Sequence, residues 1–308
     1  MAPLLRTFEA LLAEARSGPV KRMAVAEAGE PAVIAAVADA MREGLVQPIL
    51  VGTGERIRAI AEEQSVNLTD VEIVEASREE APAVAVKLVH DGDAALVMKG
   101  LVRTKDFLRA VLHQEFGLRR GRPLSHVAVF ESPDRSRLMM LTDSGINIRP
   151  RFSRKVDIIR NALQVAEVLG IDLPKVAVLA AVETVELPTM PASLDAEMLR
   201  RMGEAGLFGH CVIDGPLAMD NALDAHTAEV KGRRSPVAGH ADIVVTPDIE
   251  TGNAVYKTIR YLAGREIAGI VIGAAGPAVV SSRSDSAASK LLSIALGAVI
   301  SQKRAAVL

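Results

Sequence analysis

Residues 241–293 read ADIVVTPDIETGNAVYKTIRYLAGREIAGIVIGAAGPAVVSSRSDSAASKLLS, and their pattern decides the fold class. An apolar run, Ile243 to Val245, stops at Pro247 and gives way to a polar turn carrying Asp248 and Glu250. A periodic segment follows through Val255, Ile259 and Leu262. A second apolar run, Ile267 to Ile272, ends in Gly273, Gly276 and Pro277, and a short run from Ala278 to Val280 leads into Ser-Ser-Arg-Ser-Asp-Ser. The order predicted is strand, helix, strand, glycine turn, strand, then a polar loop opening a helix. In open α/β sheets ligands bind at the carboxyl ends of strands. The clusters Asp248–Asn253 and Ser281–Ser286 fall at such ends, so the chemistry is expected there.

Outward from this stretch the same rhythm continues. Strands are predicted over Val20–Ala26, Gln47–Val51 and Ala94–Met98, with a helix starting at Pro31 and another over Ser77–His90. Gly52-Thr53-Gly54 has no third glycine and reads as a strand-to-helix turn rather than a dinucleotide fingerprint. Lys99-Gly100-Leu101-Val102-Arg103-Thr104 follows a strand and precedes a helix. It suits an anion site, where amides and cations converge, or equally a solvated turn with Thr104 as helix cap. His126–Phe130 and Arg137–Leu141 pair as strands, and the polar segment from Thr142 to Pro150, with Asp143 and Asn147, reads as a crossing between two lobes. Further on, Cys211–Asp214 is a strand, Lys231–Arg234 a basic run in a Gly- and Pro-rich loop, and Ala287 to about Ser301 a helix with a wide apolar face. The alternation implies an α/β architecture with mainly parallel pairing. Residues 1–147 plus 284–308 are expected to form one α/β lobe and residues 148–283 the other, with the active-site cleft between them.

Composition narrows the class. With 308 residues the chain can bury a large core, and 49% hydrophobic but only 3% aromatic residues make that core aliphatic. A formal charge of -2 provides no global basic field, so a general nucleic-acid binder is not expected. The single Cys211 excludes an internal disulfide framework and reads as a buried strand thiol. The amphipathic start contains Glu9 and Glu14 and resembles no targeting signal, and no apolar run approaches the ~20 residues of a membrane span. A soluble, cytoplasmic protein without a membrane partner is the expectation.

The six His lack metal-ligand spacing, and no HExxH, Walker or G-x-S-x-G motif occurs. Ser, Arg, Asp and backbone amides at strand ends remain, and these suit phosphate recognition. They also suit a transfer reaction whose nucleophile comes from a substrate. Lys99, Arg103, Asp143 and Asn147 are candidate substrate contacts, as are Asp248, Asn253 and Gly273. No metal ligands and no cofactor are expected.

Four separated motifs add a family likeness: ADIVVTPDIETGNAVYKTI, VIGAAGPAVVSSRSDSAASKLLSIAL, VIDGPLAMDNAL and LTDSGINIRP. Together they resemble the phosphate acetyl/butyryltransferase family over most of the chain, and GPLAMDNA and SSRSDSAASK are more similar to its butyryltransferase branch. The resemblance implies the reversible reaction of acyl-CoA with phosphate to give acyl phosphate and CoA, with coenzyme A as substrate rather than cofactor. It also implies a two-lobed three-layer α/β/α fold like that of isocitrate and isopropylmalate dehydrogenases, as a homodimer or larger. By motif match Ser282 would orient substrate and contact the oxyanion, and Arg283 would hold phosphate. The acetyltransferase pattern has a catalytic Asp seven positions after the Ser. That position here is Ser289, and Asp285 is the nearest carboxylate, either a base or a cap of the last helix. Three other readings stay open at this point: a non-catalytic module binding CoA or acyl phosphate, a metal-dependent dehydrogenase of the related fold, and a CoA-dependent acyltransferase of the kind fused in relatives to a hydratase lobe, for which this chain has no spare segment.

Overall fold

The structure, a computed structural model, describes residues 3–282 and 284–304. In chain order the elements are α1 (Phe8–Ser17), β1 (Lys21–Ala26), α2 (Pro31–Arg42), β2 (Val46–Gly52), α3 (Gly54–Glu63), β3 (Glu72–Glu75), α4 (Ala81–His90), β4 (Leu96–Lys99) and α5 (Thr104–Val111). Then come β5 (Ser125–Glu131), β6 (Leu138–Thr142), α6 (Phe152–Val168), β7 (Lys175–Leu179), α7 (Pro191–Glu204) and β8 (Val212–Leu217). The chain continues through α8 (Met219–Leu223), α9 (Ala225–Val230), β9 (Ile243–Val245) and α10 (Ile249–Lys257), which runs into a π-helical turn, Thr258–Leu262. It ends with β10 (Ala268–Ile272), β11 (Ala278–Val279) and α11 (Ala287–Arg304). The architecture is α/β, as the alternating pattern predicts. The short α8 and α9 lie in a segment too rich in Gly, Pro and polar residues to show helical periodicity.

Two compact units divide the chain: Met1–Thr7 with Pro123–Arg265, and Phe8–Arg122 with Glu266–Leu308. The division falls about 25 residues before the crossing expected near Ile148, and the return falls at 265/266 rather than at 283/284. The reason is the β5–β6 hairpin. Its strand β6 pairs in parallel with β9, Met140 opposite Ile243, so the hairpin belongs to the sheet of the middle segment.

In the unit of Phe8–Arg122 and Glu266–Leu308 the strand order is β3-β2-β1-β4-β11-β10. β1, β2, β3, β4 and β11 run parallel, and β10 is antiparallel to β11. The chain steps outward from β1 to β3 and then returns to β4 on the other side of β1. Right-handed crossovers therefore put α2 and α3 on one face and α4 on the other. α2 packs with α11, and α4 packs with α5. Coverage of both faces explains why β4 is buried along its whole length and reads as an apolar run up to its last residue, Lys99. The switch point lies between the carboxyl ends of β1 and β4. There Gly100 lets the two strand ends close on each other, since a Cβ at this position would stand 2.2 Å from the Glu27 carbonyl oxygen.

In the other unit the order is β5-β6-β9-β7-β8. β6, β9, β7 and β8 are parallel, and β5 is antiparallel to β6. α6 packs on β5 and β6, and α7 on β7 and β8. The carboxyl ends of β6 and β9 lie side by side, with Thr142 opposite Val245. This brings the segment after Thr142 against the first turn of α10, where a Cβ on Gly252 would stand 2.3 Å from the Asp143 carbonyl oxygen. Among the described residues no helix is long and apolar enough to cross a membrane.

Candidate active-site residues

The loop after β11 carries the first cluster. β11 is too short to bury more than two residues, and Ser281 through Ser286 then turn into α11. The Ser282 amide donates to Asp285 Oδ2 at 2.6 Å, and the Asp285 amide donates to the Ser282 carbonyl at 3.1 Å. These two bonds tie residue 282 to residue 285. Asp285 is only 5% exposed, so its carboxylate is an internal strut of the loop. Arg283, expected to hold phosphate, lies outside the described residues. The Ser282 and Ser284 hydroxyls stand 3.1 Å apart at the tip.

The cap of α11 is Ser286 and not Asp285: Ser286 Oγ accepts the Ser289 amide at 3.0 Å, the usual reach from an N-cap to the third helical residue. Ser286 also donates to Glu266. Ser289 is fully buried, donates to the same Glu266 carboxylate and accepts the Ile267 amide at 3.0 Å. Ser293 accepts the Gly269 amide at 2.9 Å. The face of α11 where the acetyltransferase pattern has its Asp is thus occupied in tying the helix to β10. Beneath the loop, Lys290 is 2% exposed and donates from Nζ to the Asp285 carbonyl at 2.6 Å and the Ser282 carbonyl at 3.4 Å.

On the strand next to β11, Lys99 closes β4. It is 5% exposed, and Nζ donates to the Gly100 and Val102 carbonyls, both at 3.3 Å. Arg103, not Thr104, occupies the N-cap position of α5, and no side chain caps it. Its guanidinium bonds Asp106 at 2.6 Å and holds that carboxyl below the usual carboxylate range. Arg78, Arg103 and Arg109 share the wall of a 310 Å³ cavity with Glu79 and Asp106. At the end of β1, Glu27 has φ of 56° and is 3% exposed, and burial pushes its pKa up against the pull of Arg56 and Arg78.

Gly273 does not join this cluster. Because β10 is antiparallel to β11, its carboxyl end lies with the amino ends of β1 and β4. The neighbouring Pro277 carbonyl accepts the Val97 amide, and Ala275 donates to Leu118.

The second cluster lies at the carboxyl ends of β6 and β9. Asp143 is 3% exposed and organises its own loop: Oδ1 accepts the Gly145 and Ile146 amides at 2.8 and 3.0 Å. Its Oδ2 accepts the Asn147 side-chain amide at 2.5 Å. Asn147 Nδ2 also donates to the Leu124 carbonyl at 2.9 Å. Asp248 caps α10 by accepting the Thr251 amide at 2.8 Å, and the exposed Asn253 reaches the Ser144 carbonyl at 3.4 Å. In the structure the carboxylates of Asp143 and Asp248 accept backbone amides, and that of Asp143 also the Asn147 side chain. The loop also brings in a pair that sequence reasoning missed: His126, 7% exposed, stands with Nδ1 2.9 Å from Ser144 Oγ. β5 is antiparallel, so its second residue comes to the carboxyl end of β6, a placement periodicity does not reveal.

Of the basic run, Lys231 bonds Asp220 at 2.9 Å and Glu183 at 3.3 Å, and Arg233 bonds Asp214 at 2.8 Å. Cys211 lies just before β8, half-buried, and burial raises its thiol pKa, which disfavours a nucleophilic role. Among the described residues no group of three or more His, Cys, Asp or Glu is arranged to hold a metal ion.

The model of the family described as Phosphate acetyl/butaryl transferase matches residues 7–83 and 78–298. The chain belongs to the phosphate acetyl/butyryltransferase family. Within the family it is 44% identical over 298 residues to a phosphate butyryltransferase of Clostridium acetobutylicum, covering 96% of this chain and 99% of that one. It is 40% identical over 288 residues to a phosphate acetyltransferase of Thermotoga maritima, covering 94% and 98%. The crystal structure of a branched-chain phosphotransacylase from Enterococcus faecalis superimposes with a TM-score of 0.82 at 30% identity, covering 92% and 99%. Membership of the phosphate acetyl/butyryltransferase family favours neither the dehydrogenase nor the non-catalytic alternative.

Proposed function

We propose that the chain transfers a short acyl group, acetyl or butyryl, reversibly between the CoA thiol and inorganic phosphate. In the forward direction a phosphate oxygen attacks the thioester carbonyl, the C–S bond breaks and the thiolate leaves to take a proton. In reverse the thiolate attacks the acyl phosphate. A thiol of pKa near ~8.5 is only a few per cent ionised at neutral pH, so positioned donors and cations carry much of the work. The observation that carries the reading is the Ser282 loop, fixed by Asp285 at the carboxyl end of β11. Ser282 is the proposed oxyanion and orienting group, Arg283 the phosphate ligand, and Asp285 the group that sets the loop.

Substrate binding is assigned to Lys99 and Arg103, with the cavity walled by Arg78, Arg103 and Arg109 suited to the phosphates of CoA. The Asp143–Asn147 loop, Asp248 and Asn253 are further proposed contacts. CoA acts as a substrate and no cofactor is required. The working protein is read as a cytoplasmic homodimer or larger homo-oligomer that acts without nucleic-acid or membrane partners.

The test is release of free thiol from acetyl-CoA and butyryl-CoA by the purified chain, with and without phosphate. Release that depends on phosphate and yields a hydroxylamine-reactive acyl phosphate is expected. CoA binding without turnover would instead make this a binding module.

A further inference from the structure

We infer that Lys290 is a positioning residue for acyl transfer: its buried ammonium clamps both ends of the Ser282–Asp285 loop and fixes it for an incoming phosphate. The inference rests on the proposed reaction for the identity of that anion. Its physical basis is local. Lys290 lies in the first turn of α11, where the helix dipole disfavours a cation, and it is 2% exposed, where desolvation disfavours any charge. Among the described residues no carboxylate lies within ion-pair distance of Nζ. Its partners are the carbonyls of Ser282 and Asp285, the first and last residues of the loop.

A lysine kept there against both penalties does something that a buried Leu or Met in the same stripe would not. Each carbonyl it binds belongs to a residue whose amide closes the turn: Ser282 N–H to Asp285 Oδ2, and Asp285 N–H to the Ser282 carbonyl. Removing the ammonium takes a donor from both carbonyls at once; the Ser282 carbonyl keeps the Asp285 amide, and the turn loses its tie to α11. The clamp also places a positive charge against the loop that presents Ser282, with no carboxylate in ion-pair distance among the described residues, which favours an anion at the loop.

The experiment compares Lys290→Met, Lys290→Gln and Lys290→Arg in the full chain. It measures thermal midpoint, kcat, KM for phosphate and for acyl-CoA, and amide exchange of peptides spanning 280–290. Lys290→Met is expected to fold with a midpoint near or above wild type, because apolar replacement of a buried charge is often stabilising. Its KM for phosphate should rise at least about tenfold while KM for acyl-CoA changes by less than about threefold. The amides of Ser282 and Asp285 should exchange at least about tenfold faster, the scale of a charged hydrogen bond lost. Lys290→Arg, which keeps the charge, should recover part of both effects. Should the Met variant fail to fold, Gln against Arg supplies the same comparison.

Unchanged exchange, or faster exchange with an unchanged KM for phosphate, in any folded uncharged variant overturns the inference. So does a lowered thermal midpoint with wild-type constants, the mark of a merely structural lysine. A wild-type chain that makes no acyl phosphate would instead overturn the proposed reaction. Exchange and calorimetric phosphate binding then still decide the role of Lys290.

Discussion

Asp285 shows how a carboxylate in a polar loop can be committed to its own backbone. One of its oxygens accepts the Ser282 amide, and its own amide returns a bond to Ser282. Asn can replace the acceptor with its amide oxygen, whereas Ala cannot. Asp285→Asn is therefore expected to keep kcat within about tenfold, or ~1.4 kcal/mol, of wild type at neutral pH, with Asp285→Ala losing more. Steady-state kinetics at pH 7 and 9 checks this. A hundredfold loss in the Asn variant that recovers at high pH, as thiolate forms unaided, would make Asp285 the base. The sequence located the loop correctly, because an apolar run followed by Ser-Ser-Arg-Ser-Asp-Ser marks a strand end. It left Asp285 ambiguous between base and cap. Ser286 caps the helix instead, and one-residue offsets of this kind are settled by side-chain geometry rather than pattern. Lys290 did leave a trace, a charge inside the apolar stripe of the last helix.

At the level of elements, strand existence was legible and strand direction was not. Hydrophobic runs predict β10 and β11, yet the same runs serve parallel and antiparallel pairing, and the antiparallel choice takes Gly273 away from the site. The end of β1 was likewise silent in the sequence, while the structure buries Glu27 there with Oε2 lacking a hydrogen-bond partner among the described residues. Its folded pKa is raised above the unfolded value of 4.5, chiefly by burial. The folded chain therefore binds the proton more tightly, and stability from this group falls as pH rises through the window between the two pKa values. Glu27→Gln is expected to raise the thermal midpoint at pH 7, with the gain shrinking toward zero below about pH 4. Thermal melts across pH 3.5–8 would show it, and a gain that persists undiminished at acid pH would exclude titration of Glu27 as its cause.

For the molecule as a whole, composition foretold an aliphatic interior, and the described core is built largely of Ala, Val, Ile and Leu. A pocket cut from such residues discriminates by methylenes, each worth about 1–3 kcal/mol. Acetyl and butyryl differ by two methylenes, about 2–6 kcal/mol, so activity on both acetyl-CoA and butyryl-CoA is expected, with a ratio of kcat/KM no larger than about 3 × 10⁴. Competition assays with the two thioesters measure it, and a larger ratio, or no turnover of one thioester, would contradict the expectation. The unit boundary was less legible, since a polar, Pro-terminated crossing after Asp143 looks like a lobe junction when the pairing of β6 with β9 is unseen. That division also orders events during synthesis. Residues 123–265 emerge as one continuous stretch and can acquire their sheet while the ribosome is still working. The unit that begins at Phe8 has to wait: the β4 edge gains β11 only when residues 278–279 appear, and α2 gains α11 later still. A nascent chain stalled before residue 266 would thus expose the edge of β4 and the apolar side of α2 together, and would be the form that chaperones have to shield.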